Sequence, residues 1–300
     1  MGADWRGEFL RAMPQAVLDE PLGRHTTFKI GGPADVFLPA QSREEALEAV
    51  RLARLAGVPI FVLGWGSNLL VKDRGVRGLV LRLSGDFERV EFLGGGRVRA
   101  GASVRVPQLV ISCAEKGLSG LEPVVGVPGT VGGAVAMNAG TRDGEIGPLV
   151  TDVEVVGLET GSARIISKPE LRFSYRESSL KNVVVMFATL ELKPADKGDI
   201  MALVARYQQK RLQTQPIHTF NVGSTFKNPP GRYAAKMIEE LGLKGLSVGG
   251  ARVSEMHANF IENFAGATAC DVLALVDLIR ERVRAAFGVD LELEMRVVGE

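Results

Sequence analysis

The chain is 300 residues long and carries 36 Lys and Arg against 35 Asp and Glu, a formal net charge of +1. That balance excludes a protein whose main work is neutralising a nucleic-acid backbone, which needs a concentrated basic surface. With 46% hydrophobic and 24% charged residues, it is neither a disordered chain nor a disulfide scaffold. Glycine is the anomaly, at 36 residues, about 12% against an ordinary share of about 7%.

The first segment, 1–19, mixes Asp4, Arg6, Glu8 and Arg11 with apolar residues and lacks the apolar stretch of a signal peptide. No run reaches the roughly 18 apolar residues of a membrane span, so a soluble, cytoplasmic protein without membrane contact is expected. Cys113 and Cys270 both sit among apolar neighbours and read as buried, reduced thiols.

In chain order, a first glycine cluster, Lys29 to Asp35, leads into a strand at Val36–Leu38. Ser42 with Glu45 three residues on reads as a capping box for a helix over 42–56 that Gly57 ends. The strand Ile60–Leu63 runs into Gly64-Trp65-Gly66-Ser67-Asn68, then strand-like Leu69–Val71. Such a loop is either an anion nest for a phosphate or a tight hairpin; it is no Rossmann fingerprint, because the third glycine and the following helix are missing. Residues 79–101 alternate as strands, and a helix is predicted over 106–117. The stretch Gly126 to Gly140 is glycine-rich, nearly without charge and irregular, which predicts a loop lining a cofactor. Strands return over 150–158, 163–166 and 183–190, with polar Phe173 to Ser179 before the last. A composition shift at Pro194 to Gly198 marks a boundary before a helix over 200–212. Then come a polar loop, Phe220 to Gly231, a helix over 234–241, a short strand at 259–261, a helix over 269–287 and a terminal strand at 291–298.

Familiar catalytic constellations fail. His25, His218 and His257 have no metal-ligand spacing and no cysteine pair completes a zinc site. There is no Gly-x-Ser-x-Gly elbow and no Walker loop. What remains is a glycine-rich first part suited to a bulky phosphate-bearing cofactor, and a second part with Ser, Lys and Asn on one loop.

Five motifs in order, Gly64-x-Gly66-Ser67-Asn68-Leu69-Leu70, Gly126 to Ala134, Tyr175-Arg176, Gly223-Ser224-Thr225-Phe226-Lys227-Asn228-Pro229 and Glu294-Met295-Arg296, resemble the UDP-N-acetylenolpyruvoylglucosamine reductases over nearly the whole chain, from about Thr26 to Val298. The resemblance implies an α+β fold of the FAD-linked oxidase type (PCMH, or vanillyl-alcohol-oxidase-like), with FAD-binding subdomains at 1–78 and 79–195 and a substrate-binding domain at 196–300. It implies non-covalent FAD held by Gly64, Gly66, Ser67, Asn68, Pro128, Gly129, Thr130, Gly132 and Gly133, with Gly101 as a weaker candidate. NADPH is the implied hydride donor, and UDP-GlcNAc-enolpyruvate the substrate, reduced to UDP-N-acetylmuramate for peptidoglycan; no obligate protein partner is implied.

By the same resemblance, Arg176 meets the substrate carboxylate, where a planar guanidinium suits bidentate pairing. Ser224 donates the proton to the α-carbon, and Glu294 polarises the developing enolate as a protonated acid if burial raises its pKa. Tyr175, Lys227, Asn228 and Lys244 are the implied substrate contacts. Trp65 departs from the family's usual glycine and must point away from the cofactor, and Thr141 to Glu145 lacks the usual Tyr-Gly, as in the shorter form of the enzyme. A different FAD-linked oxidase of the same fold is the alternative, and a nucleotide-binding module without flavin the third.

Overall fold

The computed structural model describes residues 5–300. Two compact units emerge, one built from residues 5–18, 36–65 and 78–210, the other from residues 19–35, 66–77 and 211–300. Neither is a consecutive stretch, so they cut across the three-part division read from sequence.

In the first unit a five-stranded antiparallel sheet runs in the order Ala163–Ser167, Val150–Gly157, Val183–Glu191, Arg97–Gly101, Val90–Gly94. Its strands alternate as a sheet with one covered face must. Val98, Ala100, Val153 and Val155 are buried. Between them Arg99 and Arg43 bond Glu154 at 2.6 and 2.8 Å, and Arg99 lies 4.3 Å over the Phe187 ring. The helices Val106–Glu115 and Val131–Ala136 feed Leu109, Val110, Cys113, Val131 and Val135 into the same core. A second sheet has the order Val17–Pro21, Pro33–Ala40, Val76–Leu83, Ile60–Val62, the last two parallel.

The helix Arg43–Ala56 starts as read, with Ser42 Oγ accepting the Glu45 N–H at 3.2 Å, but the Glu45 carboxylate reaches one residue further back, to the Gln41 N–H at 2.7 Å. Gly57 closes it in the left-handed region at φ 66°. The later helix is longer than expected, Lys197–Thr214, because Asp196 Oδ1 accepts the Asp199 N–H and starts it early.

The helix Val131–Ala136 overturns a sequence reading, since 126–140 was expected to be irregular. Gly132 and Gly133 are poor helix formers. Tertiary contact decides instead: the Val131 and Gly132 N–H groups donate to Val104 O and Ala102 O, both at 2.9 Å.

The second unit carries the three-stranded sheet Ser247–Val248, Ala251–Val253, Ile261–Asn263 and the helix Ala269–Phe287. That helix buries Val272, Leu275, Val276, Ile279 and Val283, the spacing of one helical face, against Phe28, Ile30, Leu70, Phe226 and Ile238. Its start is doubly capped: Thr268 and Asp271 form a capping box, while the Asp73 carboxylate accepts the Ala269 and Cys270 N–H groups at 2.8 and 3.1 Å. Cys270 in this first turn is exposed, against expectation, and Cys113 is buried. Burial pushes the Cys113 thiol up to about 12, with Glu122 adding to the shift.

The terminal strand is shorter than expected, Arg296–Val298, paired parallel with Leu69–Val71. Residues 291–295 leave that ladder because Glu294 and Met295 both direct their N–H groups to Thr225 O. Likewise the strand expected at 259–261 begins only at Ile261, because Asn259 spends its polar groups on the 225–226 loop. No helix among the described residues is long and apolar enough to cross a membrane.

Candidate active site

In the first unit the two glycine loops approach one another closely. A Cβ placed on Gly64 meets Thr130 Oγ1 at 2.8 Å, and Arg105, bridged through its backbone to Thr130, stacks its guanidinium 3.5 Å from the Trp65 ring centroid. The bulky residue in the glycine loop is thus held by Arg105, with Arg82 5.9 Å from the same ring.

Glycine is required here for more than one reason. At Gly101 a side chain collides with the Phe87 backbone, and at Gly132 the N–H is already taken by Ala102 O, so protein packing fixes these two rather than a ligand. That corrects the expectation that Gly132 offers its N–H to a diphosphate. Gly133 differs: a Cβ there finds only Thr130 Oγ1, at 3.8 Å, and faces open space. Gly129 follows Pro128 at φ 145°, closed to other residues, and its carbonyl accepts the Val106 N–H at 3.0 Å. A glycine backbone facing the Thr130 hydroxyl, open space at Gly133 and the exposed Arg105 beside them fit the diphosphate of a dinucleotide such as FAD.

Still in the first unit, Arg176 occupies the turn of the hairpin Phe173–Ser174, Glu177–Ser178. Its φ is +60°, a conformation that costs a non-glycine residue about 1 kcal/mol and often marks a functional position. The side chain is 16% exposed and stands 3.9 Å from Glu145 Oε1, with its guanidinium 4.9 Å from the exposed Tyr175 ring. Buried Asn138 organises this corner: its Nδ2 donates to Glu145 Oε2 at 2.7 Å and Ser174 O at 2.9 Å, and its Oδ1 accepts the Gly147 N–H at 3.0 Å. Sequence reasoning missed both Asn138 and Glu145. The signal was present in Met137-Asn138-Ala139-Gly140, since Asn138 sits at φ 48° and asparagine tolerates that region better than most residues.

In the second unit Ser224 follows Gly223, whose φ of 79° turns the chain and whose N–H donates to Asn221 Oδ1 at 2.9 Å. Ser224 is half-buried, and its hydroxyl makes no hydrogen bond to any described residue. The next residue ties this loop to the terminal segment, with the Glu294 N–H donating to Thr225 O at 2.9 Å and Phe226 bridged to Leu293. Ser224 and Glu294 are thereby fixed on two adjoining segments. Glu294 is half-buried, whereas Glu292, on the same alternation, is exposed and pairs with Lys227 at 3.3 Å. Gly66, Ser67 and Asn68 of the first glycine loop also fall in this unit; Asn68 Nδ2 donates to Glu294 O at 3.1 Å and Asn68 O accepts the Arg296 N–H at 3.1 Å.

The remaining candidates are spread over this unit. Asn228 Oδ1 accepts the Ala234 N–H at 3.1 Å at the start of the helix Ala234–Glu240, which leaves its amide N–H groups as the part able to meet a ligand. Lys244 is ion-paired with Glu239 beside His257. Burial pushes the His257 imidazole below its ordinary range, and the neighbouring Lys244 adds to that.

Residues 215–298 match the family described as UDP-N-acetylenolpyruvoylglucosamine reductase, C-terminal domain, and residues 34–167 match an FAD binding domain. The UDP-N-acetylenolpyruvoylglucosamine reductase of Moorella thermoacetica is 47% identical over 95% of this chain and 94% of its own, and that of Rubrobacter xylanophilus 44% identical over 98% and 99%. The crystal structure of the Thermus caldophilus enzyme superposes with a TM-score of 0.82 at 41% identity, covering 95% of this chain and 98% of that one. A Phl p 4 variant, a glucose oxidase, shares the fold alone, with a TM-score of 0.51 at 15% identity over 65% of this chain and 44% of its own. Near full-length identity, ordered motifs and a common fold together place this chain in the UDP-N-acetylenolpyruvoylglucosamine reductase family.

Proposed function

We propose that this protein reduces UDP-N-acetylglucosamine enolpyruvate to UDP-N-acetylmuramate, with FAD as cofactor and NADPH as electron source, in the supply of peptidoglycan precursor. Ser224 carries the reading: a half-buried serine hydroxyl without a hydrogen-bond partner among the described residues, on a loop pinned to the segment that bears Glu294. When bound and reduced by NADPH, FAD would supply a hydride for the methylene carbon of the enolpyruvyl ether.

Hydride addition to that carbon leaves an electron pair on the α-carbon, delocalised into the carboxylate. Arg176 pairs with the carboxylate and offsets this charge through two parallel N–H donors, and its positive charge cannot be lost by deprotonation. The Ser224 Oγ–H donates its proton to the α-carbon, completing the lactyl ether and leaving an alkoxide that solvent reprotonates. A hydroxyl is a weak acid, but the enolate is a strong base, so geometry rather than acidity limits the transfer. Glu294, on the segment bonded to the Ser224 loop, is the residue assigned to polarise the developing enolate. The Asn228 amide and Lys227 serve the UDP half of the substrate, as does Lys244 on exchange of Glu239 for a phosphate. Gly64, Pro128, Gly129, Thr130 and Gly133, with Gly66, Ser67 and Asn68, hold the cofactor, and the protein acts in the cytoplasm.

Anaerobic reduction of the bound flavin with NADPH, followed by addition of UDP-GlcNAc-enolpyruvate, tests this directly. Bleaching of the visible flavin band and its full recovery, with UDP-N-acetylmuramate formed, is the expected result. A flavin that NADPH reduces but this substrate leaves reduced points to another FAD-linked oxidase of the same fold.

A further inference from the structure

The loop that carries Ser224 belongs to no sheet, yet its backbone is held on both sides. Toward the terminus, Thr225 O accepts the Glu294 and Met295 N–H groups at 2.9 and 3.3 Å, and the Lys227 N–H donates to Glu292 O at 2.8 Å. On the opposite side Asn259 alone makes three bonds to Thr225 and Phe226. Its backbone carbonyl accepts the Thr225 N–H at 2.8 Å, its Oδ1 accepts the Phe226 N–H at 3.0 Å, and its Nδ2 donates to Phe226 O at 2.8 Å. Asn259 is 4% exposed.

The Asn259 carboxamide therefore takes the place of a neighbouring β-strand, engaging both polar groups of one residue in a buried setting. Asparagine and glutamine carry an uncharged donor and acceptor side by side on one planar amide at every pH, and asparagine is the shorter of the two. A carboxylate here would place a second negative charge beside the enolate and leave Phe226 O facing an acceptor. We infer that Asn259 is a positioning residue for the proton-transfer step: it fixes Thr225–Phe226 between itself and the terminal segment, and so sets the Ser224 hydroxyl and the Glu294 carboxyl in register with each other. This rests on Ser224 being the proton donor. Proton transfer from a hydroxyl to carbon depends steeply on placement, and a shift of about 1 Å costs on the order of 10²-fold in rate.

The test compares Asn259→Leu, Asn259→Asp and Ser224→Ala in the FAD-loaded enzyme, following flavin reduction by NADPH and reoxidation by UDP-GlcNAc-enolpyruvate separately by stopped flow. Asn259→Leu is expected to keep flavin reduction within about twofold and to slow reoxidation about 10²-fold. Asn259→Asp keeps the acceptor and regains the donor only when its carboxyl is protonated, so its reoxidation rate should rise toward wild type as pH falls. The charged or titratable groups nearby, His257 on the same turn and Glu292, Glu294 and Lys227 across the loop, are common to all the proteins, so that recovery should be absent from wild type and from Ser224→Ala. Wild-type reoxidation in both Asn259 variants, equal loss of both half-reactions, or an Asn259→Asp enzyme with no recovery at low pH overturns the inference. Unchanged reoxidation in Ser224→Ala overturns the proton-donor reading itself, whatever the Asn259 variants do. Should Asn259→Leu not fold, the pH profile of Asn259→Asp alone decides.

Discussion

Arg176 shows at one position how function is set against local stability. Its +60° φ is one a glycine adopts without strain, so Arg176→Gly is expected to leave Tm unchanged within a degree or two while abolishing substrate reduction. A large fall in Tm would mean that the side chain is structural. Arg176→Lys keeps the charge but loses the fork; reoxidation by the enolpyruvyl substrate should fall about 10- to 100-fold with flavin reduction intact. His257 gives a stability expectation of definite sign. Burial holds its folded pKa below the ordinary 6.5, so just below that value the unfolded chain binds the proton and the folded chain does not. The stability it contributes is present above pH 6.5 and is lost as pH falls toward the folded value. Denaturant titrations at pH 7.5 and 5.5 should show a fall that is smaller in His257→Gln. Ser224, Arg176 and Glu294 could be named from sequence as candidates because each sits in a short local motif that carries the family resemblance. Asn138, Glu145 and Asn259 could not, because they bond through side chains to backbone or to one another in the fold, 33 residues apart for Asn259 and Phe226 and 36 for Asn138 and Ser174.

Among the elements, caps were the most readable feature and short helices the least. Ser42 and Gly57 mark helix ends as their chemistry requires, though the Asp196 cap goes unread, whereas the helix Val131–Ala136 runs against the propensity of Gly132 and Gly133 and exists because the chain must lie against Ala102. Gly132→Ala should therefore destabilise the fold although it improves helix propensity, since its Cβ would lie 2.8 Å from the Ala102 Cβ. An increase in Tm would contradict that packing. At the helix Ala269–Phe287, Thr268→Ala removes the cap hydrogen bond to the Asp271 N–H and should cost about 1 kcal/mol in urea unfolding. The terminal strand was over-extended in sequence because alternation over 291–298 is continuous, and only the pairing of Glu294 and Met295 with Thr225 shows where the ladder stops.

For the whole molecule, each unit closes its own hydrophobic core with segments distant in sequence. The second draws Phe28, Ile30 and Leu70 from the first quarter of the chain, and its last strand pairs with Leu69–Val71. Local patterns cannot reveal this, which is why a composition shift near residue 195 suggests a separable C-terminal domain. A fragment spanning 211–300 is expected not to unfold cooperatively, and a sigmoidal thermal transition from it would contradict the role of the early segments. The glycine excess divides in the same way between uses: at Gly101 and Gly132 it lets backbone meet backbone, and at Gly133 it leaves open space where a nucleotide can lie.

The central claim joins this fold to one proton. Stopped-flow reoxidation of NADPH-reduced Ser224→Ala by UDP-GlcNAc-enolpyruvate, beside the wild type, tests it most directly. Flavin reduction at the wild-type rate with reoxidation slowed at least 10²-fold is the result expected of a lost proton donor. Equal slowing of both half-reactions, or none of either, would contradict it.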